Sequence, residues 1–354
     1  MKINIPQVTF TRFIASISIV FFHFAANYSP FDRPVMHYFI SHANVGVSYF
    51  FILSGFILTV VYDPEFFSKK GSLKKFFVAR FARIYPVYFL ALLLAVVSIF
   101  LYARDLFSFP TAISNALLLQ GWIPSHVKLY NTPGWSLSAE AFFYLIFPWL
   151  IYKVFRNSFS LSAVTALTVW LLSFAAMLFI LHLPESNINE NIRLFRVVNP
   201  LLLVNNFLIG IAGGIAFRED RFPAIRKYSL AFLLGSIAVI LCLFFIPNAA
   251  IEKAENGLLA PLFIVFILSL AYHKGVITRI LSNRIFLFFG DISYSIYILQ
   301  VPLSSWYGGM VLKLGIVLSP ISFIYIYILF LILFSAVCYT GFEKPLRKYL
   351  RNLG

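Results

Sequence analysis

The sequence predicts an all-α integral membrane protein, a single domain over 1–354 built as a bundle of about ten transmembrane helices. Three observations predict it. The chain is 61% hydrophobic and 12% charged, with 42 Phe and 19 Tyr, whereas soluble domains are nearer half apolar and a quarter charged. The apolar residues gather in windows of roughly 20, the length that crosses a bilayer as a helix. Lys and Arg recur in every second interval between those windows, the positive-inside pattern of multi-pass proteins.

In chain order, windows bounded by charge or by Pro, Gly and Asn clusters fall near 8–27, 44–62, 84–102, 135–152, 161–183, 197–217, 229–247, 257–273, 285–306 and 316–340. The third, fourth, fifth and tenth are the clearest. The first carries Arg12 and His23 near its ends, and the second and ninth hold several polar residues. Ionisable groups are costly in hydrocarbon, so they mark helix faces turned to the bundle interior. The sixth contains "NPLLLVNN" and "GIAGG", which are polar and flexible. Between the third and fourth lies "FPTAISNALLLQGWIPSHVKLYN". Its apolar core, 111–122, is too short to cross and reads as an interfacial or re-entrant helix.

With the N-terminus in the cytosol, 21 of the 28 Lys and Arg fall on the cytosolic side, and an even number of spans returns the C-terminus there. Topology therefore accounts for the net charge of +15. With no recognisable nucleic-acid motif, that charge does not point to nucleic acid. Cys242 and Cys338 are lone residues inside spans, so no disulfide framework is expected. Lys2 before an apolar run imitates a signal peptide. Phe24, however, stands where cleavage wants a small residue, and Arg12 and His23 interrupt the run. No internal repeat is visible, and nothing in the sequence sets an oligomeric state.

The polar residues inside the spans carry the chemistry. In "RFIASISIVFFH", Arg12 and His23 are eleven residues apart. They share one helix face, about 16 Å apart along the axis, with Arg12 at the cytosolic edge and His23 in the outer half. Lipid snorkelling and a helix-packing hydrogen bond are the structural alternatives. "NTPGWSLSAEAFFYLIFPW" places Glu140 about one and a half turns into the fourth span, at a depth similar to His23. There it either orients an imidazole, as in nucleophile–base–orienter arrangements, or partners an arginine or a helix N-terminus. Asp291 in "FGDISYSIYILQ" reads as a cap or ion-pair partner. In "KKGSLKKFFVARFARIYPVYF", Arg80 and Arg83 form an i, i+3 pair on one face, and their forked guanidinium groups suit a phosphorylated ligand. Lys69 to Lys75 are covered by topology and anionic lipid alone.

These stretches together resemble the membrane acyltransferase 3 family. "RFIASISIVFFH" is similar to its Arg-x10-His signature and "NVGVSYFFILSGFILT" to its second-span motif. "RFAR" followed by "IYPVYF" resembles its Arg-x-x-Arg and Arg-Ile-x-Pro motif, "WSLSAE" its Trp-Ser-Leu-Ser-x-Glu motif, and "DISYSIYILQVP" its ninth-span motif. The five stand in order over nearly the whole chain. The resemblance implies transfer of an acyl group, usually acetyl, from cytosolic acyl-CoA to a hydroxyl of an envelope glycan across the bacterial inner membrane. Acyl-CoA would be the co-substrate, with no metal, and the acceptor a glycan or lipid-linked sugar. It implies functional roles for Arg12, His23, Arg80 and Arg83. The arginines would anchor the CoA phosphates, and the pantetheine arm would run along the first helix. His23 would act as general base or as a transient acyl carrier. Glu140 is a candidate to orient it, and Ser136, Ser138, Tyr144 and Asn131 are candidates to hold the sugar or the oxyanion.

The chain departs from the family pattern twice. Ala141 follows Glu140 where a second acid is common, and Gln300 stands where the ninth-span motif often has His. Some members carry an extracytoplasmic hydrolase-like domain. This chain ends at Gly354 after a basic tail, so transfer is expected to be direct or through a separate protein. A flippase for a lipid-linked sugar would also need a polar path, but would favour inverted repeats. A glycan polymerase would need long charged outer loops. The topology is testable: a reporter fused after Gly354 is expected to be active only on the cytosolic side, and a periplasmic signal would remove one span and invert the site.

Overall fold

The structure, a computed structural model, describes residues 5–156, 158–181, 189–244 and 257–352. Among these residues there is no strand, and ten apolar helices carry the fold. They are α1 (Thr9–Phe24), α2 (Gly46–Val61), α3 (Ser72–Tyr102), α4 (Trp135–Trp149), α5 (Phe159–Leu181), α6 (Pro200–Arg218), α7 (Ser229–Phe244), α8 (Ala260–Tyr272), α9 (Arg284–Lys313) and α10 (Pro320–Cys338). Taken with the turns continuous with them, eight are long and apolar enough to cross a membrane, and α7 and α8 are shorter apolar helices. Each expected window meets one of these helices. Lys2, Gly354 and the ends of the fifth and seventh windows (182–183 and 245–247) lie outside the described residues.

Two helices outrun their windows. α3 begins at Ser72 rather than near 84, because "SLKKFFVARFAR" contains no breaker. The added turns carry Arg80 and Arg83 on a rigid rod of about 18 Å. α9 runs for 30 residues, with Pro302 inside it. Successive helices alternate in direction. The end where α1, α3 and α9 begin, and where α2, α4, α6 and α10 finish, therefore gathers most of the cations; it is called the basic end below.

Close backbone approach sets the packing. A Cβ built at Gly55 of α2 would stand 2.3 Å from the carbonyl oxygen of Phe207, and one at Gly210 of α6 would stand 2.1 Å from that of Ile52. Small residues at both positions let the two helices touch, as is common where lipid removes the hydrophobic drive between helices. α1 meets α9 in the same way. A Cβ at Gly290 would stand 2.3 Å from the Thr9 carbonyl oxygen, and Ser16 Oγ donates to the Ser293 carbonyl at 2.8 Å. Aromatic rings fill the rest. Phe143 stacks on Phe207 with centroids 4.8 Å apart, and Phe76 stacks on Phe147 at 5.6 Å.

The short stretch between α3 and α4 is re-entrant. A helix over Phe109–Ala116 descends to the middle of α3. There Tyr85 Oη donates to the Ala116 carbonyl at 3.0 Å and Tyr88 Oη to the Asn115 carbonyl at 2.8 Å. Gln120, fully buried, donates from Nε2 to Tyr88 Oη and to the Gly134 carbonyl. Tyr88 lies fourteen residues from the end of α3, a descent of about 21 Å. Non-helical backbone at that depth is tolerated because protein groups satisfy it.

The α2–α6 contact gives a stability prediction. Gly210→Leu is expected to destabilise the bundle by about 1–3 kcal/mol through overpacking, read as a lower unfolding midpoint in detergent. Gly235→Leu on α7, where a Cβ meets nothing within 4 Å, is expected to melt with the wild type. Equal midpoints for both variants would contradict the close approach.

Candidate functional site

Two cavities meet inside the bundle. The first, about 120 Å³, is lined by Arg12, Ser54, Arg80, Arg83, Glu140, Tyr144, Tyr294 and Tyr297 together with apolar residues of α2. The second, about 220 Å³, is lined by Ile19, Phe22, His23, Lys128, Thr132 and Trp135, among others. Val47, Phe51 and Tyr297 line both, so these three side chains are the wall between them. Arg12 opens into one and His23 into the other from a single helix, as their shared face requires. Four of the five site residues named from sequence therefore surround the first cavity, and His23 stands in the second.

The three arginines are held differently. Arg80 donates from Nη2 to Tyr62 Oη at 3.3 Å, and its guanidinium lies 5.5–5.9 Å from the ring centroids of Tyr62, Phe76 and Tyr144. Its Nε is buried with no hydrogen-bond partner among the described residues. The three rings hold the guanidinium by cation–π contact. Arg83 is already committed. Its Nη1 donates to Glu343 Oε1 at 2.8 Å, and the glutamate is 1% exposed. Glu343 also accepts from Ser295 Oγ at 3.0 Å and faces Arg347 at 3.9 Å. Arg12 shares its cavity with Glu140 and Arg83.

Glu140 does not stand beside the imidazole. It accepts hydrogen bonds from Tyr144 Oη and, at 3.4 Å, from Ser54 Oγ, within the arginine cavity. The reason is angular and axial. Ser136, Glu140 and Tyr144 follow one another at four-residue spacing along α4, so they share a face. That face descends toward the basic end, with the Val47–Phe51–Tyr297 wall between Glu140 and His23. The partner of His23 is Gln300, whose Oε1 lies 2.9 Å from Nδ1.

The candidates for holding a sugar or an oxyanion are mostly engaged in the scaffold. Ser136 Oγ donates to the Pro133 carbonyl at 2.8 Å and accepts from Tyr297 Oη at 2.9 Å. Ser138 Oγ accepts from the Gly121 N–H at 3.1 Å, and Asn131 Nδ2 donates to the Ile298 carbonyl at 3.0 Å. Asp291 accepts from Tyr339 Oη at 2.9 Å, outside both cavities.

Residues 5–340 match the family Acyl_transf_3, described as an acyltransferase domain. The chain belongs to this family. Among relatives of the acyltransferase family, it is similar to the acyltransferase MdmB of Streptomyces mycarofaciens, at 32% identity over 44% of this chain and 41% of that one. It is similar along 97% of its length to the O-acetyltransferase OatA of Staphylococcus aureus (strain NCTC 8325 / PS 47), at 24% identity and 57% of that protein. It is also 24% identical, over 84% of this chain and 48% of the other, to the putative peptidoglycan O-acetyltransferase YrhL of Bacillus subtilis (strain 168). The match thus spans about half the length of these relatives. No solved structure matches. As a family member with eight long apolar helices among the described residues, the protein is a multi-pass membrane protein.

Sequence reasoning did not find Glu343, Tyr62, Tyr297 or the role of Gln300. Glu343 left a signal: it is the only acidic residue after Asp291, set in a cationic tail. Its burial generates a prediction. Arg83→Ala is expected to destabilise the fold by about 3–5 kcal/mol, because it strands a buried carboxylate. Adding Glu343→Gln should recover much of that loss, and Arg80→Ala should cost far less. An Arg83→Ala midpoint equal to that of Arg80→Ala would remove the structural role of the pair.

Proposed function

We propose that the protein is a membrane O-acyltransferase of the bacterial inner membrane, with both termini cytosolic. It takes an acyl group, acetyl in the simplest case, from acyl-CoA entering at the basic end and passes it to a hydroxyl of an envelope glycan at the opposite end. The observation that carries this reading is the pair of adjoining cavities. One is rich in arginine and the other holds a histidine, and one helix spans both. The names of OatA and YrhL, O-acetyltransferases and in one case of peptidoglycan, support the acyl group and the acceptor class.

At about 120 Å³ the arginine cavity is smaller than the 300–1,000 Å³ of pockets that enclose whole ligands. It therefore takes only part of coenzyme A, with the rest lying over the cationic surface. Arg80, whose guanidinium lines the cavity among three aromatic rings, meets a phosphate there, and Arg12 and Arg83 add positive field. The arm then points along α1 towards the wall of Val47, Phe51 and Tyr297. Beyond the wall, His23 accepts the proton of the acceptor hydroxyl as the oxygen attacks the thioester carbon. The carbon–sulfur bond breaks, and the proton passes to the departing thiolate. Glu140 balances the arginines and holds Tyr144, rather than orienting the base.

Two variants separate binding from chemistry. Arg12→Ala is expected to weaken apparent donor affinity with turnover at saturation largely kept, because it removes binding shared by ground and transition states. His23→Ala is expected to lower turnover by about 10²–10⁴-fold while donor still binds. The measurement is acetyl-CoA turnover by purified protein beside a donor-binding titration, with mass spectrometry of cell-envelope glycans for the product. Undiminished turnover in His23→Ala would overturn the catalytic reading.

A further inference from the structure

Gln300 is fully buried on α9, yet it faces His23, an exposed residue of α1. Its side chain makes two hydrogen bonds, and together they leave one arrangement. Nε2 donates to the Tyr297 carbonyl at 2.8 Å. A backbone carbonyl can only accept, so the amide NH₂ must point there and Oε1 must face the imidazole. The amide oxygen also only accepts. The His23 nitrogen 2.9 Å away, Nδ1, must therefore carry the proton. In the neutral ring the remaining nitrogen, Nε2, then keeps its lone pair. His23 is exposed and lines the outer cavity, so that lone pair is the one available to a substrate.

The surroundings hold this arrangement. The backbone carbonyl of Gln300 itself accepts from Tyr327 Oη, which ties this turn of α9 to α10. Three residues before Gln300, Tyr297 is pinned by Ser136 and Pro133 at 2.9 and 3.2 Å. The helix turn that carries the amide is thus fixed from two sides.

We propose that Gln300 is a positioning residue for the reaction: it locks His23 in the Nδ1–H tautomer and aims the Nε2 lone pair into the outer cavity. This rests on His23 being the base of the proposed transfer. A neutral amide does this differently from a carboxylate. It fixes the tautomer and the ring orientation, but adds no negative charge to favour the imidazolium.

The test has a readout that does not depend on activity. Uniformly ¹⁵N-histidine-labelled protein in detergent is compared with His23→Gln, which identifies the His23 signals among the six histidines. Wild type is expected to show protonated Nδ1 and unprotonated Nε2 at His23. Gln300→Leu is expected to show a mixture of tautomers, with turnover about 10–100-fold lower and donor KM unchanged, a smaller loss than an ionised orienting residue would cause. Gln300→Glu restores an acceptor and is expected to restore the single tautomer. It should also move the acid limb of the turnover–pH profile to higher pH, because the added carboxylate favours the protonated ring. This second variant keeps the test meaningful if the leucine variant folds poorly. A wild-type tautomer and pH profile in Gln300→Leu would overturn the positioning role while leaving His23 as base. Full turnover in His23→Gln would overturn the catalytic reading itself, whatever the tautomer.

Discussion

A carboxylate among membrane helices cannot remain without a partner, and Glu343 is the carboxylate on which this bundle is organised. It is almost completely enclosed, and it collects Arg83 from α3 and Ser295 from α9, with Arg347 one turn further on. The turn over Tyr339–Glu343 that follows α10 brings it there. Removing either charge would strand the other in low dielectric, at a cost of several kcal/mol. The pair therefore fixes the register of α3 against α9 and α10 at the basic end. That register in turn sets where Arg80, three residues earlier, stands relative to Tyr62 and Tyr144.

α9 carries this order across the membrane. Tyr294, Tyr297 and Gln300 are spaced by three residues, and each step falls about 60° short of a full turn. Successive side chains consequently face different neighbours. Tyr294 donates to the Ile84 carbonyl of α3, Tyr297 to Ser136 of α4, and Gln300 receives His23 of α1. The same helix thus touches the arginine cavity, the wall and the histidine cavity in turn. Its close approach to α1 at Gly290 keeps Arg12 and His23 in line with those groups.

The wall itself is mostly apolar. Val47 and Phe51 belong to α2, whose position is dictated by contact with α6 at Gly55 and Gly210. The glycines that permit the helix contact thus also place two of the three side chains between the cavities.

Much of this was legible in the sequence because it follows from local periodicity. The ten apolar windows, the stretch near 111–122 that is too short to cross, the shared face of Arg12 and His23, and the i, i+3 spacing of Arg80 and Arg83 all depend on residues within a few turns of one another. The pairings were not legible, because each joins residues far apart in the chain. Arg83 meets Glu343 across 260 positions and His23 meets Gln300 across 277. Glu140 illustrates the limit: its depth along α4 could be counted, but which neighbour its face would meet could not. Composition and spacing determined by themselves that this is a membrane bundle with cations at one end and a histidine towards the other. Only the tertiary structure decided which arginine is spent on a buried ion pair, which lies among aromatic rings, and that an amide rather than a carboxylate faces the imidazole. Helix periodicity is a property of neighbours in sequence, whereas partner choice is set by how helices rotate against one another when backbones pack.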